Sequence, residues 1–470
     1  MMVVAYSDYR LSDAAWVERI PAHWRTSRLR YVARIGNGTT PSRDRFDYWS
    51  NGTVPWLASG QVNDYIVRKA RELVTLQAVR ESSLRVLPAG SVILGMVGQG
   101  KTRGMSAYLA IDATINQNLA GITPTKELDG RYLHYMLTTA YDFQRNYGRG
   151  GNQAALNCAI VGSFPALLPP RPEQDQIVAY LRAQDAHIAR FIKAKRELIK
   201  LLTEQKLRII DHAVTRGLDE SVALKPSGIE WLGEVPEHWK ALKLKFATKR
   251  IVGGSTPKSD ESSYWDGGIV WVTPRDISKT DSLHTSLRTI SAAGLQSCAS
   301  TLVPPGSIVI TSRAPVGNVA IARVELCTNQ GCKAVVPAPD IAISDFLFLL
   351  LLRMKERLQV LANGTTFAEI GTWVLANEFI PVPPVSEQHA ICRWITDECQ
   401  PLDDAIARTE EEIKLIREYR DRLIADVVTG QVDVRGWQPG PDDAVSDDDL
   451  AALGEDEAEP AEEDGDGEEN

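Results

Sequence analysis

The feature that most constrains this chain is that it contains one pattern twice. Ile20-Pro21-Ala22-His23-Trp24 returns as Val235-Pro236-Glu237-His238-Trp239, an offset of 215. Gly38-Thr39-Thr40-Pro41 answers to Gly254-Ser255-Thr256-Pro257, Tyr48-Trp49 to Tyr264-Trp265, and Trp56 to Trp271. Pro88-Ala89-Gly90-Ser91 answers to Pro304-Pro305-Gly306-Ser307. Later pairs are Asn116-Gln117 with Asn329-Gln330, Pro169-Pro170 with Pro383-Pro384, Glu173-Gln174 with Glu387-Gln388, and Val214-Thr215 with Val428-Thr429. An offset this steady means two copies of one module with little net insertion between them.

Each module changes periodicity part-way. Its first part is turn-rich and strand-like, with short β-branched runs at Ser91 to Leu94, Ser307 to Thr311 and Val319 to Ala322 bounded by Gly and Pro. Helices are expected at Gly130 to Arg145 and Ser344 to Leu361. After each Pro-Pro pair the pattern becomes a heptad. In the second copy Leu402, Ile406, Thr409, Ile413, Ile416, Arg420, Leu423 and Val427 step by 3 or 4. In the first, Leu181, Ile188, Phe191/Ile192, Leu198/Ile199, Leu202 and Ile209 do the same, and neither set of heptads contains Pro or Gly.

A helix of about 44 residues is roughly 65 Å long and cannot bury its apolar stripe against a small domain. It needs a long partner, and its own repeat copy is available. Folding back through a globular domain pairs the two helices antiparallel. The expected fold is mixed α/β (α+β): two globular domains separated by an antiparallel coiled coil, with an internal two-fold repeat. The expected domains are 1–172 and 218–386, the long helices 173–217 and 387–430, and an acidic, disordered tail 431–470.

These paired motifs, in this order in both halves, resemble the specificity subunits of Type I restriction-modification systems over about residues 5–436. The resemblance implies that each globular part is a target recognition domain reading one half of a bipartite, asymmetric DNA site. It implies that the helices set the spacing and dock methyltransferase (modification) subunits, with restriction (translocase/nuclease) subunits as further partners. Cofactors would lie elsewhere: S-adenosylmethionine on the modification subunits, ATP and Mg on the restriction subunits, none on this chain. Two features depart from the family pattern. Val214-Thr215-Arg216-Gly217 is one residue longer than Val428-Thr429-Gly430, and the acidic tail is outside the family core.

That tail disguises the charge. From Asp442 to Glu469 it holds 15 acids and no Lys or Arg, so the net charge of −9 becomes +6 for the body, compatible with a polyanion partner. The longest apolar run, Phe346 to Leu352, is too short to span a membrane, and no signal peptide is legible. The six cysteines form no CxxC pair, which reads as reduced thiols in a cytoplasmic protein.

The DNA-binding candidates are donors in loops. Lys101 and Arg103, with Arg313 and Asn318 in the second copy, flank small residues and suit phosphates or guanine edges. Arg149, Asn152 and Gln153 lie in a glycine-rich loop answering to Asn363 and Thr365. Arg43, Arg45, Lys258 and Arg275 complete the set, the first three where the halves differ. The repeated tryptophans Trp24, Trp49, Trp239 and Trp265 read as core rather than base-stacking platforms.

Two competing readings stand beside this one. Gly95 to Thr102 is a literal GxxxxGK[ST] match and suggests a P-loop NTPase. A true P-loop opens into a helix, whereas the next residues read as a strand and the repeat copy lacks the motif. The other reading is a structural coiled-coil scaffold. The chain carries no Asn/Asp-Pro-Pro-aromatic tetrad of an amino-methyltransferase and no anchored hydrolase set, so a non-catalytic subunit is expected.

Overall fold

The Glu-Gln pair that stands three and four residues after each Pro-Pro pair is the same in both copies because it performs the same join. The computed structural model describes residues 5–98, 101–147, 155–278, 280–362, 369–446, 450 and 453. The first long helix runs Arg171–Arg216 and the second Val385–Val428. In the first turn of each, a buried glutamine closes three backbone groups that would otherwise be orphaned. Gln174 Oε1 accepts from the Asp129 N–H at 2.8 Å, and its Nε2 donates to the Glu127 and Pro169 carbonyls at 2.9 Å. Gln388 repeats this with the Ile343 N–H (2.9 Å) and the carbonyls of Ile341 (2.7 Å) and Pro383 (2.9 Å).

The neighbouring glutamate ties in the His-Trp motif. Glu173 accepts from Trp24 Nε1 at 3.0 Å and meets His23 Nε2 at 2.8 Å. Glu387 accepts from Trp239 Nε1 at 3.0 Å and meets His238 Nε2 at 2.7 Å. Trp24 and Trp239 are fully buried, so both belong to the core as expected.

The chain divides into two units, residues 1–197 with 409–470 and residues 198–408. Each holds one module and half of each long helix. Within the first unit Asp185 pairs with Arg420 and Lys195 with Glu412, the partner number falling as the residue number rises. Within the second, Lys206 pairs with Asp403 while Gly217 lies against Glu387. The helices are therefore antiparallel in both. Leu423, Ile424, Val427 and Val428 complete the core of the first module, and Ile210, Ala213 and Val214 that of the second.

Both modules fold on one plan. The first has a five-stranded sheet in the order Ala33–Asn37, Leu119–Pro124, Val92–Gly95, Ser106–Leu109, Ile66–Val67, antiparallel except for the last pair. The second repeats it with Thr248–Gly253, Cys332–Pro337, Ile308–Thr311, Val319–Ala322 and Ser282–Leu283. Three-stranded sheets centred on Val54–Leu57 and Trp265–Val272 stand beside them. The helices expected at 130–145 and 344–361 form, each broken once, at Ala140 and Met354.

One expectation, that of the tail, is corrected. The second long helix runs through Pro401, just ahead of its heptads and inside its expected span. Proline there removes one N–H from the helix ladder without ending it. The tail is not featureless from 431. Residues 431–446 lie on the first unit with Val434 and Trp437 buried, Trp437 edge-on to Tyr180 at 5.5 Å, and Asp443 2.8 Å from His187. Apolar Val432, Val434 and Trp437 precede the acidic run, which supplies the burial that a purely acidic segment lacks.

Candidate nucleic-acid interface

The shared motifs converge at one end of each five-stranded sheet. Gly38 and Gly254 pass so close to a neighbouring backbone that a Cβ would sit 1.6 Å from the Ile115 carbonyl oxygen or 1.8 Å from that of Thr328. Only glycine fits. Two residues on, Thr40 donates to Gln117 Oε1 at 2.6 Å and Thr256 to Gln330 Oε1 at 2.5 Å. The Asn-Gln turn is closed by its own asparagine, Asn116 Oδ1 accepting from the Asn118 N–H and Asn329 Oδ1 from the Gly331 N–H.

The tryptophans brace this turn. Trp56 Nε1 donates to the Thr39 carbonyl and Trp271 Nε1 to that of Ser255, at 3.1 and 3.0 Å. Trp49 and Trp265 donate to the carbonyls of Ser42 and Lys258, and each meets its partner tryptophan edge-on at 5.1 and 5.2 Å. All of their N–H donors are used on protein, which fixes the rings against the turn.

On this frame the described loops meet. The Asn-Gln turn reaches the loop after the third strand through Met96 N–H to the Asn118 carbonyl and Ser312 N–H to the Gly331 carbonyl, 2.9 and 2.8 Å. That loop in turn meets the second short helix in the first module and the segment after the helices in the second. Tyr141 donates to the Lys101 carbonyl at 2.7 Å, and the Ile370 N–H to the Ser312 carbonyl at 2.9 Å. Arg149, Asn152, Gln153, Asn363 and Thr365, named from the sequence, lie outside the described residues.

The remaining candidates differ in availability. Arg43 forks onto Glu72 at 2.6 and 2.9 Å and lies 3.8 Å over Trp49, while Arg45 forks onto Asp47. Arg313 pairs with Glu369 at 3.0 Å. Each must exchange a carboxylate for a phosphate to bind DNA. Lys258 and Arg275 are exposed with no ion pair among the described residues, Asn318 is half-buried in the loop after Thr311, and Lys101 and Arg103 sit in the turn before Ser106–Leu109. The sequence could not show the Arg43 clamp, because Glu72 is 29 residues away.

Gly95 to Thr102 leads through this turn into a strand, not a helix, so its amides do not form a helix N-terminus for phosphates. Among the described residues no group of three or more His, Cys, Asp or Glu is placed to hold a metal ion. No helix of the described residues is long and apolar enough to cross a membrane.

The family model described as the Type I restriction modification DNA specificity domain matches twice, over residues 21–201 and 236–415. The chain belongs to the Type I restriction-modification specificity family. Among relatives is the MjaIX specificity subunit of Methanocaldococcus jannaschii, 33% identical over 189 residues, which are 39% of this chain and 42% of that one. The match thus spans less than half of that relative. The MjaVIII specificity subunit of the same organism is 24% identical over 427 residues, 89% of this chain and 95% of that one. Among solved structures, a chain from work on complex assembly and conformational transition of the Type I system superposes with a TM-score of 0.59 at 19% identity, covering 88% of this chain and 99% of that one. It shares the fold.

Proposed function

We propose that this chain is the DNA-recognition subunit of a Type I restriction-modification complex. Each module reads one half of a bipartite target, and the helix pair sets the spacing and docks the methyltransferase subunits. The observation that carries this is the repeat: one buried frame twice, with the loops on it diverged. Ser42 to Phe46 reads Ser-Arg-Asp-Arg-Phe against Lys258 to Ser262, Lys-Ser-Asp-Glu-Ser. Two readers on one plan suit two unlike half-sites.

The chain itself is non-catalytic in this reading. S-adenosylmethionine belongs to the modification subunits, and ATP and Mg to restriction subunits. Lys101, Arg103, Lys258, Arg275 and Asn318 are contact candidates, with Arg43, Arg45 and Arg313 released from their carboxylates on binding. Its six free thiols suit the cytoplasm, where the genome is. The test is retention of a duplex carrying the methylated motif of the host genome by the complex with modification subunits. Selective retention over a scrambled duplex is expected; equal retention, or binding of ATP by this chain alone, contradicts the reading.

A further inference from the structure

Two modules that read different half-sites differ where they read and agree where they do something common to both. One exposed stretch agrees in a particular way. Arg25, Arg28, Arg30 and Arg34 stand 215 residues before Lys240, Lys243, Lys245 and Lys249, and Tyr31 before Phe246. All four cations keep their charge, and all four change from Arg to Lys.

The fold forces them outward. Arg25–Arg28 pairs with Pro165–Leu168, and Lys240–Lys243 with Phe379–Val382. The next residue, Leu29 or Leu244, is wholly buried and pins a single helical turn. The turn then presents Arg30 and Tyr31, or Lys245 and Phe246, to solvent, with Tyr31 70% and Phe246 57% exposed. The cation lies over its aromatic neighbour in both, at 5.2 Å for Arg30 and Tyr31 and 5.3 Å for Lys245 and Phe246. Arg25 pairs with Glu127 at 3.1 Å; among the described residues the other seven cations have no carboxylate partner.

The Arg-to-Lys exchange identifies the ligand chemistry. Where a guanidinium reads a partner through its planar bidentate fork, an ammonium is not a conservative replacement. A phosphate takes either as a source of charge. We propose that this strip, one copy per module, binds the phosphodiester backbone of duplex DNA without regard to sequence and so positions each reader on its half-site. The proposal rests on the DNA-recognition reading above.

The experiment uses the full chain with its modification subunits and titrates target and non-target duplexes across salt. The variants are Arg28→Gln/Arg30→Gln/Arg34→Gln, Lys243→Gln/Lys245→Gln/Lys249→Gln, the single Arg30→Gln, and Arg28→Lys/Arg30→Lys/Arg34→Lys. Each lost phosphate contact should lower the slope of log affinity against log salt by about 0.9, so a triple Gln variant loses about two to three units and the single about one. Both duplexes should weaken by the same factor, and the Lys variant should keep the parent slope. An unchanged slope overturns the proposal, as does an altered target-to-non-target ratio, which would mean base reading. Loss of modification subunits from the variant complex, read as its mass in solution, also overturns it by making the strip a protein dock. A parent complex that does not discriminate its target sinks the DNA-recognition reading, while the salt slope on non-target duplex still decides the strip.

Discussion

At the first module the helix pair is locked by a buried ion pair; at the second, the lysine that replaces its arginine pairs with a different carboxylate at an exposed site. Asp185 and Arg420 retain 4% and 10% of their side-chain exposure and bond at 2.6 Å. Tyr135 donates to the same carboxylate at 2.7 Å, Arg420 lies 4.8 Å over Tyr65, and His134 sits edge-on to Tyr65 with its Nδ1 3.1 Å from Ser106 Oγ. At an offset of 214, Lys206 takes the place of Arg420, Cys399 of Asp185, Leu349 of Tyr135 and Phe348 of His134. Lys206 reaches Asp403 instead, at 2.7 Å, with side chains 30% and 45% exposed. The repeat therefore keeps its packing frame and its Glu-Gln joints, while the polar lock between helix pair and module is peculiar to one copy. A buried pair specifies geometry because breaking it strands a charge; an exposed pair specifies little.

The largest expected effect follows directly. Asp185→Ala leaves Arg420 buried without its carboxylate and should cost about 3–5 kcal/mol. Asp403→Ala should cost no more than about 0.5 kcal/mol. Chemical denaturation of both variants checks this, and equal costs would break the comparison.

The glycines that end the helices sharpen it. Both have left-handed backbones, φ +73° at Gly430 and +77° at Gly217. A Cβ at Gly430 would lie 2.3 Å from Pro21 Cδ, whereas at Gly217 the nearest atom is Glu387 Oε1 at 3.2 Å. Gly217→Ala should therefore cost about 1–2 kcal/mol from backbone strain alone, and Gly430→Ala distinctly more. Thermal melts of the two variants measure the gap. The strap 431–446 is another one-sided feature, and Trp437→Ala should destabilise by about 2 kcal/mol through lost burial.

Near neutral pH the smallest effect is that of His134, and it grows as the pH falls. Burial, with help from Arg420 and Arg131, pushes His134 down to about 3 from its ordinary 6.5. The folded state thus holds His134 neutral, while the unfolded chain takes up a proton below pH 6.5. The stability from this group is complete above pH 6.5 and is lost as pH falls towards 3, at about 1.4 kcal/mol per unit. His134→Phe, the residue of the second copy, should flatten that part of the stability profile; an unchanged slope would show that His134 is not buried neutral.

What the sequence made legible was periodic or repeated. The heptads located both long helices, and Arg420 was already visible as a cation on the seam. Its partner was not, because Asp185 is 235 residues away and no local pattern links them. Likewise the loops carrying Lys101, Arg103, Arg313 and Asn318 could be named, but not the carboxylates that hold Arg43, Arg45 and Arg313. The cationic strip was in view as repeated Leu-Arg-Tyr and Leu-Lys-Phe segments. Its meaning needed the burial of Leu29 and Leu244 to show which neighbours face solvent.

The claim that one module reads one half-site is tested most directly by exchanging residues 20–172 for the equivalent domain of another specificity subunit and mapping methylated bases across the genome. The account predicts that one half of the bipartite target changes while the other half is kept. A change in both halves, or in neither, would contradict it.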